Sequence, residues 1–180
     1  MMKLQKIASV ATILKRELEP TIKEWLRRVN LVPELTDVPL SDTDRTGHLP
    51  KLYADLICRL RLANDTHPPA VSTAAAAHGK IRREQGYSAS MLIEESRIFQ
   101  VSTFSTLHVH QSELDPAKLL SDVMVIADEV DAQLKETVRS LMERKLPAAH
   151  SYEAARFVGN SNEPDVFTHG STISCPFIAR

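Results

Sequence analysis

A cluster of ionisable side chains flanks a single glycine near the middle of the chain. His78, Arg82 and Gln85 precede Gly86, and Glu95 follows it. The first three are spaced i, i+4 and i+7, so they share one face if this segment is helical. An imidazole, a guanidinium and a carboxylate brought together can form a charge-assisted network or take part in general acid–base catalysis.

The local sequence predicts how these side chains meet. Gly86 suits the left-handed residue that ends a helix, and Ser88 suits the N-cap of the next one. The chain then reverses, so the second helix returns antiparallel to the first. The alanine run at residues 74–77 leaves room for a close helix approach. We expect three charged residues of the second helix to come within two turns of Arg82 and His78: Glu94, Glu95 and Arg97.

The residues favour a structural or sensing network over catalysis. The chain has no nucleophile elbow, no phosphate-binding glycine loop and no recognised metal signature. The nearest metal pair is His108 and His110, whose i, i+2 spacing points them apart on a helix and which lack an obvious third ligand. We therefore predict no catalytic residue, no metal and no cofactor. The pKa of His78 is left open, because a nearby carboxylate raises it and burial lowers it.

Composition narrows the class of protein. The 22 basic and 23 acidic residues nearly cancel, which gives no field that favours nucleic acid or an anionic membrane. The apolar runs fall short of the roughly 20 residues that span a bilayer. The charged N-terminal segment is a poor secretory signal, and two cysteines are too few for a disulfide framework. We expect a cytoplasmic protein without nucleic-acid or membrane partners.

Apolar spacing predicts helices almost throughout, with no convincing alternation of period two. A first helix spans about residues 4–18, a second starts at Pro20, and prolines 33 and 39 mark a loop. Residues 42–63 form a helix in two pieces with Pro50 in its first turn, and the helices around Gly86 follow. Asp115 and Pro116 open a long helix to about residue 145. The prediction is an all-α bundle of five or six helices at residues 1–146, with an irregular C-terminal tail at 147–180.

A haem protein and a haem-free, globin-like fold are alternatives for such a chain. A proximal haem ligand needs a histidine on a helix that lines an apolar slot. His48, His78 and His108 lack an unambiguous apolar flank, which disfavours haem. The alternative to a non-enzymatic domain is a small helical enzyme or a haem- or metal-binding protein that uses His78, Arg82 and Glu95.

Two segments, "DRTGHLPKLYADLICRL" and "AAAAHGKIRREQGYSASMLIEESRIF", resemble the N-terminal domain of RsbRD-type proteins, the RsbT co-antagonists of the bacterial stressosome. Similar domains precede some sensor histidine kinases. The resemblance covers about residues 20–143. The matching positions are Arg45, His48, Leu49, Pro50, His78, Gly79, Arg82, Gly86, Tyr87, Leu92 and Glu95.

The resemblance implies a sensory or regulatory domain that performs no catalysis. It implies a homodimer with a protein partner, a kinase or an anti-sigma regulator, in stress signal transduction. Six residues would form the interhelical or sensing cluster: Arg45, His48, His78, Arg82, Tyr87 and Glu95. We see no kinase or anti-sigma-antagonist domain in the roughly 35 residues after the bundle, so we expect a stand-alone domain whose signal shifts the long C-terminal helix.

Overall fold

The computed structural model describes residues 7–62 and 71–143, and they form an all-α bundle. This part of the chain contains eight α-helices, six of which have seven or more residues, and one 3-10 turn at Gln111–Glu113. The predicted all-α bundle is confirmed. The helices are α1 (Val10–Arg16), α2 (Leu18–Val29), α3 (Pro33–Thr36), α4 (Asp42–Thr46), α5 (Leu49–Arg61), α6 (Thr73–Glu84), α7 (Ala89–Val109) and α8 (Pro116–Met142).

The helices around the cluster begin at the side-chain caps that the sequence indicates. The hydroxyls of Ser72 and Ser88 accept hydrogen bonds from backbone N–H groups at the starts of α6 and α7, at 3.0 and 3.2 Å. Asp115 accepts one from Ala117 N at 3.0 Å. The helix that follows, α8, has 27 residues and is about 40 Å long. The predicted long C-terminal helix is therefore present.

Several details differ from the sequence prediction. The first helix was expected over about residues 4–18, but α1 spans Val10–Arg16, and Ile7 before it is exposed. The region expected to be a loop around Pro33 contains the one-turn helix α3, because Pro33 occupies the first helical position and Leu35 is buried in the core. Helix α2 begins at Leu18, before Pro20, because a proline is tolerated within the first turn, where N–H groups have no intrahelical acceptor.

The core is built from α1, α2, α5, α7 and α8, each of which contributes apolar side chains that are almost fully buried. The predicted apolar face of α5 is buried: Leu49, Leu52, Tyr53, Leu56, Ile57 and Leu60. On α8, Ile126 and Val130 are buried as expected, but the same helix also buries four polar side chains, Glu129, Gln133, Thr137 and Ser140. Polar residues therefore form much of the face that α8 turns to the bundle.

Helices α6 and α8 approach closely through small residues. A β-carbon on Gly79 would overlap the carbonyl oxygen of Thr137. The hydroxyl of Thr137 donates to Ala75 O at 3.2 Å, and that of Ser140 donates to Ala76 O at 2.8 Å. The alanine run therefore serves mainly the contact with α8, whereas the sequence placed the close approach between α6 and α7.

By its internal contacts the chain divides into two units, Met1–Met142 and Glu143–Arg180. The predicted boundary after residue 146 and the predicted tail at 147–180 lie outside the described residues. Within the described ranges, no helix has both the length and the apolar character needed to cross a bilayer.

Candidate functional site

Arg82 and Glu95 form a buried ion pair between α6 and α7. The guanidinium Nε donates to Glu95 Oε2 at 3.1 Å, and its Nη2 lies 2.9 Å from Oε1. Arg82 is fully buried, and the Glu95 side chain is 4% exposed. Both charges are removed from water, so each depends on the other for compensation. The expected pairing across the Gly86 reversal is present.

The remaining guanidinium donors of Arg82 reach the end of α4. Nη2 donates to Arg45 O at 2.9 Å, and Nη1 lies 3.4 Å from Asp44 O. Nη1 also donates to Gln85 Oε1 at 2.7 Å. The last carbonyls of a helix have no intrahelical donor, and a cation suits that end of the helix. Arg82 therefore joins three elements, α4, α6 and α7.

Arg45, on α4, continues the network through backbone oxygens. Its side chain is buried and donates to Leu35 O at 2.8 Å and to Val38 O at 2.6 Å. These contacts fasten the segment after α3 to α4. Arg45 thus belongs to the cluster through its backbone carbonyl, which accepts a hydrogen bond from Arg82. Its charged side chain instead binds the backbone oxygens of Leu35 and Val38.

The turn between α6 and α7 positions Tyr87. Gly86 has φ +83°, a conformation that favours glycine. Tyr87 is buried, and its ring lies under the guanidinium of Arg82, 4.6 Å from Cζ to the ring centroid, a cation–π distance. Its hydroxyl has no hydrogen-bond partner among the described residues. Burial, with a smaller effect of the Glu95 charge, raises the pKa of Tyr87 to about 12.

The two histidines of the cluster stack on one another. His48 immediately precedes α5, and its ring lies 3.7 Å from that of His78 with an angle of 10° between the planes. His78 Nε2 is 3.4 Å from Glu95 Oε2. His78 is buried, whereas His48 is partly exposed. The residues that the sequence analysis grouped on motif grounds therefore occupy one connected site.

Both imidazoles are held in the neutral form. Burial lowers the pKa of His78, and this effect outweighs the hydrogen bond and charge of Glu95, which act to raise it. Burial also lowers the pKa of His48 to well below its usual value, and the neighbouring His78 and Arg82 lower it further. A neutral imidazole keeps one nitrogen lone pair free to accept a hydrogen bond or bind a metal.

A small cavity of about 30 Å³ adjoins the histidines. Residues of α2, α5, α6, α7 and α8 surround it, and Trp25 closes one side. The Trp25 ring meets His48 edge-on at 6.0 Å, and its Nε1 donates to Glu95 O at 3.3 Å. The space suits a water molecule or a single ion, and a porphyrin would have to open the core.

Other candidate residues do not join the site. Arg97 donates to Glu94 at 2.8 Å at the protein surface, so neither of these residues reaches Arg82. His108 is exposed, and His110 lies 2.7 Å from Glu113 in a separate surface cluster with Arg16. The His108–Val109–His110 pair thus has no shared geometry for a ligand.

The structure adds three side chains that sequence reasoning did not assign to the site. Trp25, Gln133 and Thr137 line the cavity, and they come from α2 and α8. Gln133 donates to Leu52 O at 3.1 Å, which holds α8 against α5. The burial of Gln133 and Thr137 was not predicted from the sequence, because polar residues leave no signal in an apolar pattern, and no spacing along the chain indicates which cavity a buried residue lines.

Comparison of the chain with protein-family models, with curated proteins and with solved structures finds no match in any of the three. The resemblance to the RsbRD-type N-terminal domain and the globin-like alternative therefore stay predictions from the sequence.

Proposed function

We propose that this chain is a stand-alone sensory or regulatory domain of bacterial signal transduction that works through protein contacts or dimer rearrangement and performs no catalysis. The observation that carries the proposal is the position of Arg82, which joins α4, α6 and α7 at once. A change in this buried network would alter the relative placement of these helices.

The route from the network to the rest of the molecule supports a regulatory role. The helix that carries Arg82, α6, is packed against α8 through Gly79 and Thr137 without intervening side-chain atoms. Arg83 adds a hydrogen bond from its guanidinium to Ser140 O at 3.1 Å. A displacement of α6 therefore has to be accommodated by α8, because close-packed interfaces transmit small shifts.

The outer face of α8 supports association with a second copy of the chain. Leu120 and Met124 lie one turn apart on α8, and they are 72% and 66% exposed. Long apolar side chains repeated at i and i+4 are a common basis of helix pairing. In this proposal α8 carries both the dimer contact and the surface that a kinase or an anti-sigma regulator would read.

The chemistry of the cluster supports sensing in preference to catalysis. The Glu95 carboxylate is ion-paired with Arg82, and the rings of His48 and His78 are stacked on each other. The adjoining cavity holds little more than a water molecule. General acid–base catalysis needs a titratable group within reach of a bound substrate. A space of this size leaves no room for an organic substrate.

The test measures coupling between the cluster and dimerisation. Sedimentation velocity should detect a dimer that the double variant Leu120→Glu/Met124→Glu abolishes. Ile93→Glu, at an exposed apolar position of α7, is the matched control and should leave it intact. Arg82→Lys should change the dimer dissociation constant, while Arg97→Lys, in an exposed ion pair, should not. A monomer at all concentrations, or an Arg82→Lys dimer with unchanged affinity, would refute the proposal.

A further inference from the structure

His48, His78 and Glu95 meet at the border of the small cavity. One ligand atom from each residue, a ring nitrogen or a carboxylate oxygen, lies within 4.8 Å of the other two. Sequence reasoning looked for a metal pair at His108 and His110. The fold instead brings His48 from the start of α5 against His78 of α6.

From this geometry we infer that His48, His78 and Glu95 form a binding site for a divalent first-row transition metal, with Zn²⁺ as its simplest occupant. Two imidazoles and one carboxylate are a ligand set that such ions accept, with water completing the coordination. The inference concerns binding and does not depend on the proposed signalling role.

An unsatisfied buried atom supports the inference. His78 Nδ1 is buried and has no hydrogen-bond partner among the described residues. Most buried polar atoms in proteins have a partner, so an orphaned nitrogen needs an explanation such as a water or an ion. The cavity that His78 helps to line, about 30 Å³, has room for either.

Arg82 has a defined part in this site. Its Nε donates a hydrogen bond to Glu95 Oε2 at 3.1 Å, and its Nη2 lies 2.9 Å from Oε1 as an ion-pair contact. Carboxylates that bind metals are commonly fixed by such outer hydrogen bonds. The positive charge of Arg82 repels a bound cation and so weakens its affinity. A strongly electron-donating ligand set is needed to offset this repulsion, and two imidazoles with a carboxylate provide one.

Binding requires a movement of one ring. The two imidazoles are nearly parallel, with an angle of 10° between their planes, so their lone pairs do not converge on one point. His48 is the ring that can tilt, because it borders the cavity and its imidazole makes no hydrogen bond to another described residue.

The decisive experiment uses the full chain and the His48→Ala variant, because His48 forms neither the hydrogen bond nor the ion pair that joins Arg82 and Glu95. Isothermal titration with Zn²⁺ should show one site in the wild type and binding weakened more than about 100-fold in His48→Ala, beyond the loss usual for an outer-shell partner. His110→Ala is the matched control, since it removes a histidine that lies 2.7 Å from a carboxylate elsewhere.

A second readout separates metal binding from misfolding. The metal-free His48→Ala variant should still unfold cooperatively, at a lower temperature than the wild type because its imidazole packs against Trp25 and His78, while Zn²⁺ should raise the melting temperature of the wild type and of His110→Ala only. Co²⁺ should give visible ligand-field absorption that His48→Ala abolishes. Equal Zn²⁺ affinity in His48→Ala and the wild type, or loss of binding in His110→Ala, would overturn the inference.

Discussion

The backbone of Gly79 in α6 lies directly against the carbonyl oxygen of Thr137 in α8. Only glycine, which has no β-carbon, fits there. The β-carbon of Ser140, one turn further along α8, lies against the same position. This contact places the helix that carries His78 and Arg82 against the longest helix of the described chain. The position of the polar cluster therefore depends on a contact made by residues with almost no side chain.

Replacing Gly79 with alanine should destabilise the protein. A glycine-to-alanine change inside a helix normally stabilises it by about 0.5–1 kcal/mol. Here the added methyl group meets backbone, and overpacking of this kind costs about 1–3 kcal/mol. Urea denaturation should show a lower free energy of unfolding. Ala77→Ser, at an exposed position of the same helix, is the control and should change stability little. A stabilised Gly79→Ala protein would show that α6 and α8 are farther apart.

Replacing Arg82 with alanine should have a much larger effect. The change leaves the Glu95 carboxylate buried without its partner, which costs about 3–5 kcal/mol. Arg97→Ala breaks an exposed ion pair with Glu94 and should cost about 0.5 kcal/mol or less. Thermal or urea denaturation of the two variants gives the comparison directly.

A double-mutant cycle isolates the Arg82–Glu95 interaction. Glu95→Gln alone should also destabilise, because it strands the buried guanidinium. The double variant should lose less than the sum of the two single losses, with a coupling of about 1–3 kcal/mol. Additive losses would mean that the two side chains do not depend on each other.

The sequence predicted the local parts of this site well. The glycine at position 86 and the hydroxyl cap at Ser88 fix where α6 ends and α7 begins, and both signals depend on neighbours along the chain. The Arg82–Glu95 pairing could be predicted from the sequence, because a tight turn between two antiparallel helices fixes which residues lie opposite each other.

Contacts between helices distant in sequence could not be predicted in the same way. Helical spacing shows which residues share a face, but not which helix packs against that face. The face of α6 that carries Gly79 packs against α8. His48, at the start of α5, stacks on His78 of α6. Two buried polar residues of α8, Gln133 and Thr137, reach the carbonyls of Leu52 and Ala75, far away in the chain, in addition to acceptors within α8 itself.

Replacing Gly86 with alanine tests the backbone of the reversal alone. Its φ of +83° is strained for a residue with a β-carbon, yet apart from its two chain neighbours no residue has an atom within 4 Å of the position that carbon would take. The variant should therefore lose about 1–2 kcal/mol of its free energy of unfolding. This loss comes from the unfavourable backbone conformation and not from steric overlap. Gly86→Asn should cost less, because asparagine tolerates this region. A cost for alanine near zero would mean that the turn relaxes to another conformation.

Glu129 should make stability depend on pH. It is buried on α8, and burial raises its pKa above the ordinary 4.5, with Asp55 acting in the same direction against a hydrogen bond from Gln133. The folded state then binds the proton more tightly than the unfolded state. The stabilisation is fully present below pH 4.5 and is lost as the pH rises through the raised pKa.

Glu129→Gln removes the ionisation and keeps an oxygen that can accept from Gln133. We expect this variant to be more stable than the wild type at pH 8, because a buried negative charge is no longer formed. The difference should shrink as the pH falls towards 5, where the wild-type carboxyl takes up its proton. Urea denaturation at a series of pH values measures both effects, and Asp131→Asn, at an exposed position of α8, serves as the control. A constant difference between Glu129→Gln and the wild type would show that the Glu129 carboxyl titrates alike in the folded and unfolded states.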